Sequence, residues 1–147
     1  MISISPNPVS TKIFSRQYYT PANPPAANPY YFNCPGNSRV RISNIRHSMS
    51  TLANTSRCQL IFRIPTYPMY RICGTSTAPA ALTTTDVHYS TGIREHFYRA
   101  ADNVLYIPLQ PDLFLDPGEI IIITTEDMGA VITIADVCIS VDQWIIS

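Results

Sequence analysis

A chain of 147 residues, 46% hydrophobic and 14% charged, holds enough apolar material for one domain with a single core. Its longest aliphatic run, residues 120–123, is too short to span a bilayer as a helix. Net charge is zero but divided: residues 1–85 carry eight cations and no acid, while residues 86–147 carry all ten acids against Arg94 and Arg99. Arginine outnumbers lysine nine to one without clustering, which argues against nucleic-acid binding.

The opening "MISISPNPVSTKIF" has no basic stretch followed by an apolar core, so no signal peptide is expected. Residues 1–35 hold seven of the thirteen prolines. Proline fixes φ, removes a donor and pushes the preceding residue to extended geometry. The stretch "TPANPPAANPYYF" therefore reads as an extended, polyproline-like arm. "TKIFSRQYY" offers a short strand, expected to add to another protein's sheet. A merely disordered tail is more often rich in Glu, Lys, Ser and Gln, so an arm that docks is expected.

From residue 36 the text changes to short β-runs. In "SRVRISNIRHS" Val40 and Ile42 face one way and Arg39, Arg41 and Ser43 the other. The phase then shifts at Ile45, as a β-bulge at Ser43-Asn44 would produce. "CQLIFRIP" alternates as a strand with Cys58, Leu60, Phe62 and Ile64 on one face, and "YPMYRIC" reads as an edge strand because of Pro68. Residues 74–86 are predicted as a long loop, and "VHYSTGIREHFYRAAD" is compatible with a short helix. "NVLYIPL" is a strand. Asp116-Pro117-Gly118 meets the demands of a type II turn and leads into the strand 120–125. "AVITIADVCISVDQW" is a final long strand, with Val131, Ala135, Val137, Ile139 and Val141 expected on one side and Ile132, Ile134, Asp136 and Ser140 on the other. Both closing strands carry apolar residues on two faces and should be central, covered by a loop, the 88–101 segment or a neighbouring subunit.

Seven or eight short strands without a repeating helix indicate an all-β fold, an antiparallel β-sandwich over residues 36–147 behind the arm of residues 1–35. Catalytic patterns are missing. Asp86, His88, Glu95 and His96 carry metal-ligand side chains within eleven residues, but Glu95 and His96 are neighbours that would point to opposite faces of a strand, so a solvated loop or short helix is the expectation. His47 has no acid in its half of the chain to orient it. The four scattered cysteines (Cys34, Cys58, Cys73, Cys138) form no zinc-ligand pairs and read as reduced thiols. No enzymatic role, cofactor or metal is expected.

Aromatics and arginines point instead to contact surfaces. Tyr18, Tyr19, Tyr30, Tyr31 and Phe32, with Arg16, Arg39 and Arg41, are the candidate partner-binding residues, because Tyr and Arg carry a large share of interface energy. The charge division admits two readings: basic and acidic strands paired within one sheet, or a basic end meeting the acidic end of a neighbour.

The segments "FNCPGNSRVRISNIRHSMST", "LDPGEIIIITT" and "VITIADVCISVDQWI", with the Pro35-Gly36 and Pro117-Gly118 turns, give residues 30–147 a strand rhythm that resembles small jelly-roll or β-sandwich proteins of tailed-phage virions. The capsid cement or decoration proteins are the most similar, with some tail-associated proteins. That resemblance implies a jelly-roll-like fold and a homo-oligomer, trimer or dimer. It implies a seat on the major capsid protein at the virion surface after synthesis in the host cytoplasm, with no catalytic residues and no membrane or nucleic-acid partner. The arm and the loop of residues 74–87 depart from the simplest members. Two rivals stand beside this reading. One is a tail or receptor/carbohydrate-binding protein using Tyr67, Tyr70 and the 75–101 loops. The other is a cupin-like metalloenzyme built on Asp86, His88, Glu95 and His96.

Overall fold

A computed structural model describes residues 14–25, 28–51, 58–63, 70–74, 83–125 and 132–145, with only the backbone described for residues 14, 51, 58–63, 70–74, 83 and 132. The described residues form eleven strands and no helix. The strands are β1 (Phe14–Tyr19), β2 (Tyr30–Asn33), β3 (Ser38–Thr51), β4 (Cys58–Arg63), β5 (Tyr70–Gly74) and β6 (Thr83–Ser90). They continue with β7 (Phe97–Arg99), β8 (Val104–Pro108), β9 (Leu113–Leu115), β10 (Ile120–Thr125) and β11 (Ile132–Ile145). One sheet runs β1-β11-β3-β6-β8-β7, with β9 on the N-terminal part of β3, and a second runs β2-β10-β4-β5. The inner residues of both sheets meet in one core. Val40, Ile42, Ile45, Met49, Val87, Tyr89, Leu105 and Ile139 of the first pack with Phe32, Ile121 and Ile123 of the second.

β3 is long enough to carry two neighbours on one edge: Val40 to Ile42 pair with β9, and Asn44 to Thr51 pair with β6. Its other edge pairs with β11, where Val141 opposes Ile42 and Ser140 opposes Asn44. Ser43 is thus the extra residue of a bulge, at the place where the hydrophobic phase shifts. Its hydroxyl donates to the Ser140 carbonyl at 2.9 Å. The Pro117-Gly118 turn is also present, with Glu119 N–H donating to the Asp116 carbonyl at 3.0 Å and Gly118 at φ 89. A positive φ at the third turn residue is what glycine supplies without steric cost.

Several elements differ from expectation. The strand of "FSRQYY" lies on this chain's own sheet: β1 pairs antiparallel with β11, from Phe14 opposite Trp144 to Tyr19 opposite Ile139. β11 has a full second edge to satisfy once β3 holds the first, and β1 supplies the backbone partners. β2 likewise pairs with β10. The segment 74–86 is not loop throughout, since β6 begins at Thr83. Residues 88–101 hold the end of β6, a turn and the three-residue β7 rather than a helix. Pairing is not wholly antiparallel, because β8 runs parallel to β6 and β7 turns back along the far side of β8. Asn103, at φ 55 in the β7–β8 turn, ties that hairpin to the start of β6. Its amide donates to the Thr84 carbonyl, its carbonyl accepts from Thr85 Oγ1 and Tyr98 Oη, and its backbone carbonyl accepts from Asp86 N–H.

On β11 the two faces are re-phased. Ile134 shares the buried side with Val137, Ile139 and Val141 rather than lying opposite them. The cause is a bulge between Ala135 and Cys138, where Asp136 and Val137 together face one residue of β3. Asp136 adopts φ 54, and its N–H donates to Asn23 Oδ1 at 2.8 Å. β10 and β11 are central, as expected, and Ile122 and Thr124 on the second face of β10 are buried within this single chain. No neighbouring subunit is needed to cover them. The predicted faces of β4, and residues Pro68 and Tyr67, lie outside the described residues or side chains.

Candidate interaction surface

The eight candidate residues do not form one patch. β1 and β2 alternate, so their adjacent aromatics separate: Tyr18 is 65% exposed and Tyr31 48%, whereas Phe32 is buried and Tyr19 and Tyr30 pack against the core. Tyr19 and Phe32 meet edge to face at 5.2 Å, which links the two sheets through the N-terminal segment. Tyr19 Oη donates to Gln143 Oε1 at 2.6 Å, and Gln143 Nε2 donates to Ser38 Oγ at 2.7 Å. Burial pushes the Tyr19 phenol up, with the nearby Cys34 adding to it.

The arginines are organised by a residue the sequence reading passed over. Arg16 on β1, Asp142 on β11 and Arg41 on β3 stand in register across three neighbouring strands. Asp142 is 1% exposed beneath the two guanidinium groups. Arg16 Nε and Nη2 donate to Oδ1 at 3.0 and 2.9 Å, and Arg41 Nε and Nη2 donate to Oδ2 at 3.2 and 2.5 Å. Burial raises the Asp142 carboxyl, but the hydrogen bonds and charges of Arg41 and Arg16 outweigh it and hold its pKa below the usual 3.8. Arg39 lies over the Phe114 ring at 4.5 Å and reaches Asp116 at 3.4 Å. The divided charge is therefore used inside the molecule in these three cases: basic strands of the first half flank acidic residues of the second. The signal available in the sequence was Asp142 next to Val141 in a largely apolar strand expected to be central, since an acid buried there needs a partner.

Arg16, Arg41, Asp142, Ser43, Thr91 and Asp112 line a cleft of about 280 Å³ on the outer face of the first sheet. Further along that face, Arg46, Ser48, Asp86, His88, Asp136 and Cys138 border a smaller polar cavity of about 230 Å³. Asp86 and His88 share one face of β6, whereas Glu95 and His96 lie in the turn before β7. Among the described residues no group of three or more His, Cys, Asp or Glu side chains stands in metal-holding geometry.

His47, on the core side of β3, is 3% exposed, and its Nδ1 lies 3.1 Å from the Ser48 carbonyl. That contact makes Nδ1 the donor of a neutral ring. Burial drives the pKa of His47 down to about 4, the bond to Ser48 opposing it. Of the cysteines, Cys34 is buried, its Sγ 3.2 Å from the Ser38 carbonyl and 3.3 Å from that of Leu115. Burial, with Asp116 nearby, pushes its thiol up to about 11. Cys138 is half-buried and free. The side chains of Cys58 and Cys73 lie outside the described residues.

At the far edge of the sheet His88, Tyr106 and Phe97 form a row of rings, with Phe97 stacked on Tyr106 at 4.6 Å and His88 tilted against it at 5.3 Å. Gly92, Ile93, Arg94 and Glu95 border an open, largely apolar hollow of about 600 Å³ beside Phe97 and Tyr106. Sequence reading pointed to the segment but not to this row, because β8 lies between β6 and β7 only through a parallel pairing. Comparison with known proteins gives no match: no family model, no curated protein and no solved structure is matched by this chain.

Proposed function

We propose that the chain is a jelly-roll virion structural protein, of the capsid cement or decoration kind, that binds the major capsid lattice through its N-terminal strands. The observation that carries this reading is the strand pairing. With β7, β8 and β9 set aside, eight strands remain, and they pair as one long folded ribbon: β1 with β11, β2 with β10, β3 with β6 and β4 with β5. Wrapping that ribbon brings β11 beside β3 and β10 beside β4, which are the two remaining contacts. Two sheets built this way support a jelly roll, an architecture common to capsid proteins and lectins. Fold alone does not carry function. The second support is that β1 and β2 are edge strands presenting Tyr18 and Tyr31 outward, on a surface low in charge.

On this reading the N-terminal segment has two tasks. One face of β1 and β2 completes the fold, and the other meets a neighbour, β1 standing at the end of the sheet among the described residues. Many copies then add weak contacts through avidity. The test is light scattering on the full chain together with co-sedimentation on shells of the virus that encodes it. A defined oligomer and saturable shell binding, weakened at least tenfold in a Tyr18→Ser, Tyr31→Ser double variant, are expected, about 1.4 kcal/mol or more. A monomer that ignores shells refutes the proposal. A receptor- or carbohydrate-binding role is favoured by one observation, the hollow beside Phe97 and Tyr106. Saturable glycan binding that Phe97→Ala abolishes would move the assignment there.

A further inference from the structure

We infer that the cleft over Asp142 is a receptor for a carboxylate side chain of a partner protein. The inference rests on the interaction role just proposed and names the chemistry by which a partner is held. Three features of the cleft carry it.

First, the two arginines are held in place before anything binds. Each guanidinium commits its Nε and Nη2 to the buried Asp142, Arg16 to Oδ1 and Arg41 to Oδ2. Neither Nη1 takes part in that contact. Planar forks fixed on one edge lose little further freedom when the other edge accepts a ligand. Second, charge is left over. Two guanidinium groups surround one buried carboxylate, and the single positive charge that Asp142 leaves over is met, among the described residues, only by the exposed Asp112, so a monoanionic carboxylate exchanging with Asp112 suits the site better than a dianionic phosphate. Third, the protein already presents a carboxylate there. Asp112 Oδ1 lies 3.9 Å from Arg41 Nη1, beyond hydrogen-bond distance, and the Asp112 side chain is 75% exposed. It shows that a carboxylate reaches this edge of Arg41, and its hold is weak enough to be displaced. The cleft also adjoins β1, where the exposed Tyr18 stands beside Arg16 and interacts with its guanidinium.

Asp112 is therefore an internal competitor. Removing its charge should strengthen binding while leaving the Arg16–Asp142–Arg41 contact intact. Asparagine is the apt replacement, because Asp112 sits at φ 58 and asparagine tolerates the left-handed region better than other non-glycine residues.

The experiment follows the arginine Nε–Hε resonances of the full-length, 15N-labelled chain. The probes are N-acetyl-glutamate amide, N-acetyl-glutamine amide and inorganic phosphate. Expected are saturable shifts at Arg16 and Arg41 with the glutamate probe only, affinity falling with added salt, and a three- to fivefold gain in Asp112→Asn, the scale of one exposed ion pair. No saturable shift, a shift with phosphate alone, or unchanged affinity in Asp112→Asn overturns the inference. A positive titration by a protein that ignores viral shells fails the assembly reading and leaves the cleft standing. Shell binding with a negative titration does the reverse.

Discussion

Asp142→Asn is the sharpest test of how the first sheet is held together. The substitution keeps shape and removes the charge between Arg16 and Arg41. Removing one partner of a buried ion pair costs about 3–5 kcal/mol when the remaining charge stays dry. Here the arginine side chains are 55% and 39% exposed, so water takes over much of what Asp142 supplied. The asparagine oxygen also still accepts from one guanidinium, while its NH2 group faces the other. The expected loss is about 2 kcal/mol, read as a lower urea midpoint at unchanged slope. The pH dependence gives an independent check. The Asp142 pKa is depressed in the folded chain, so its contribution is complete above the ordinary value of 3.8 and is lost as pH falls through the lower folded value. The stability gap between wild type and Asp142→Asn should therefore close only below about pH 4, other carboxylates being common to both. A gap smaller than about 0.5 kcal/mol at pH 7, or one that persists unchanged under acid, would refute the account of Asp142 as a charged, buried clamp.

Two further predictions follow from buried titratable groups. His47 has its folded pKa lowered to about 4 from 6.5, so the unfolded chain takes up the proton first as pH falls. Stability should drop by about 3 kcal/mol between those pH values and then level for this group, and urea midpoints of His47→Met should be flatter across the same window. An identical slope in wild type and variant would exclude His47 as the source. Cys34, pushed up to about 11 and buried, should alkylate in the native protein at pH 8 at least about a hundredfold more slowly than a free thiol, by mass-spectrometric peptide mapping. Rapid labelling of Cys34 without unfolding would contradict its burial.

What the sequence made legible follows the reach of local pattern. The bulge at Ser43 was readable because Val40, Ile42 and Ile45 break strict alternation within a few residues. The 116–119 turn was readable because proline and glycine each satisfy one backbone demand there. The bulge at Asp136 was hidden by apolar residues on both faces of 131–134, where a phase change leaves no mark. β7 and β9 are three residues each, shorter than any periodic signal, and Phe97–Arg99 is exposed on both faces. Above all, pattern tells which face of a strand is buried but not which strand lies beside it. Tyr18 and Tyr19 read alike as contact residues of an arm, and strand alternation separates them into an outward and an inward ring; nothing local indicated that their strand lies along β11. The same holds for the cleft: Arg16, Asp142 and Arg41 are 126 and 101 residues apart in the pairs that matter. The charge division between the two halves was the one long-range signal in the sequence. Its resolution depends on the long ribbon pairing, which sets the first strand and the third on either side of the last. Once that order is given, two basic strands must flank an acidic one, and Asp142, the aspartate of the central strand in register with Arg16 and Arg41, becomes the natural point at which their charge converges. The positive charge that Asp142 leaves over there is met, among the described residues, only by the exposed Asp112, whose hold is that of a weak surface pair.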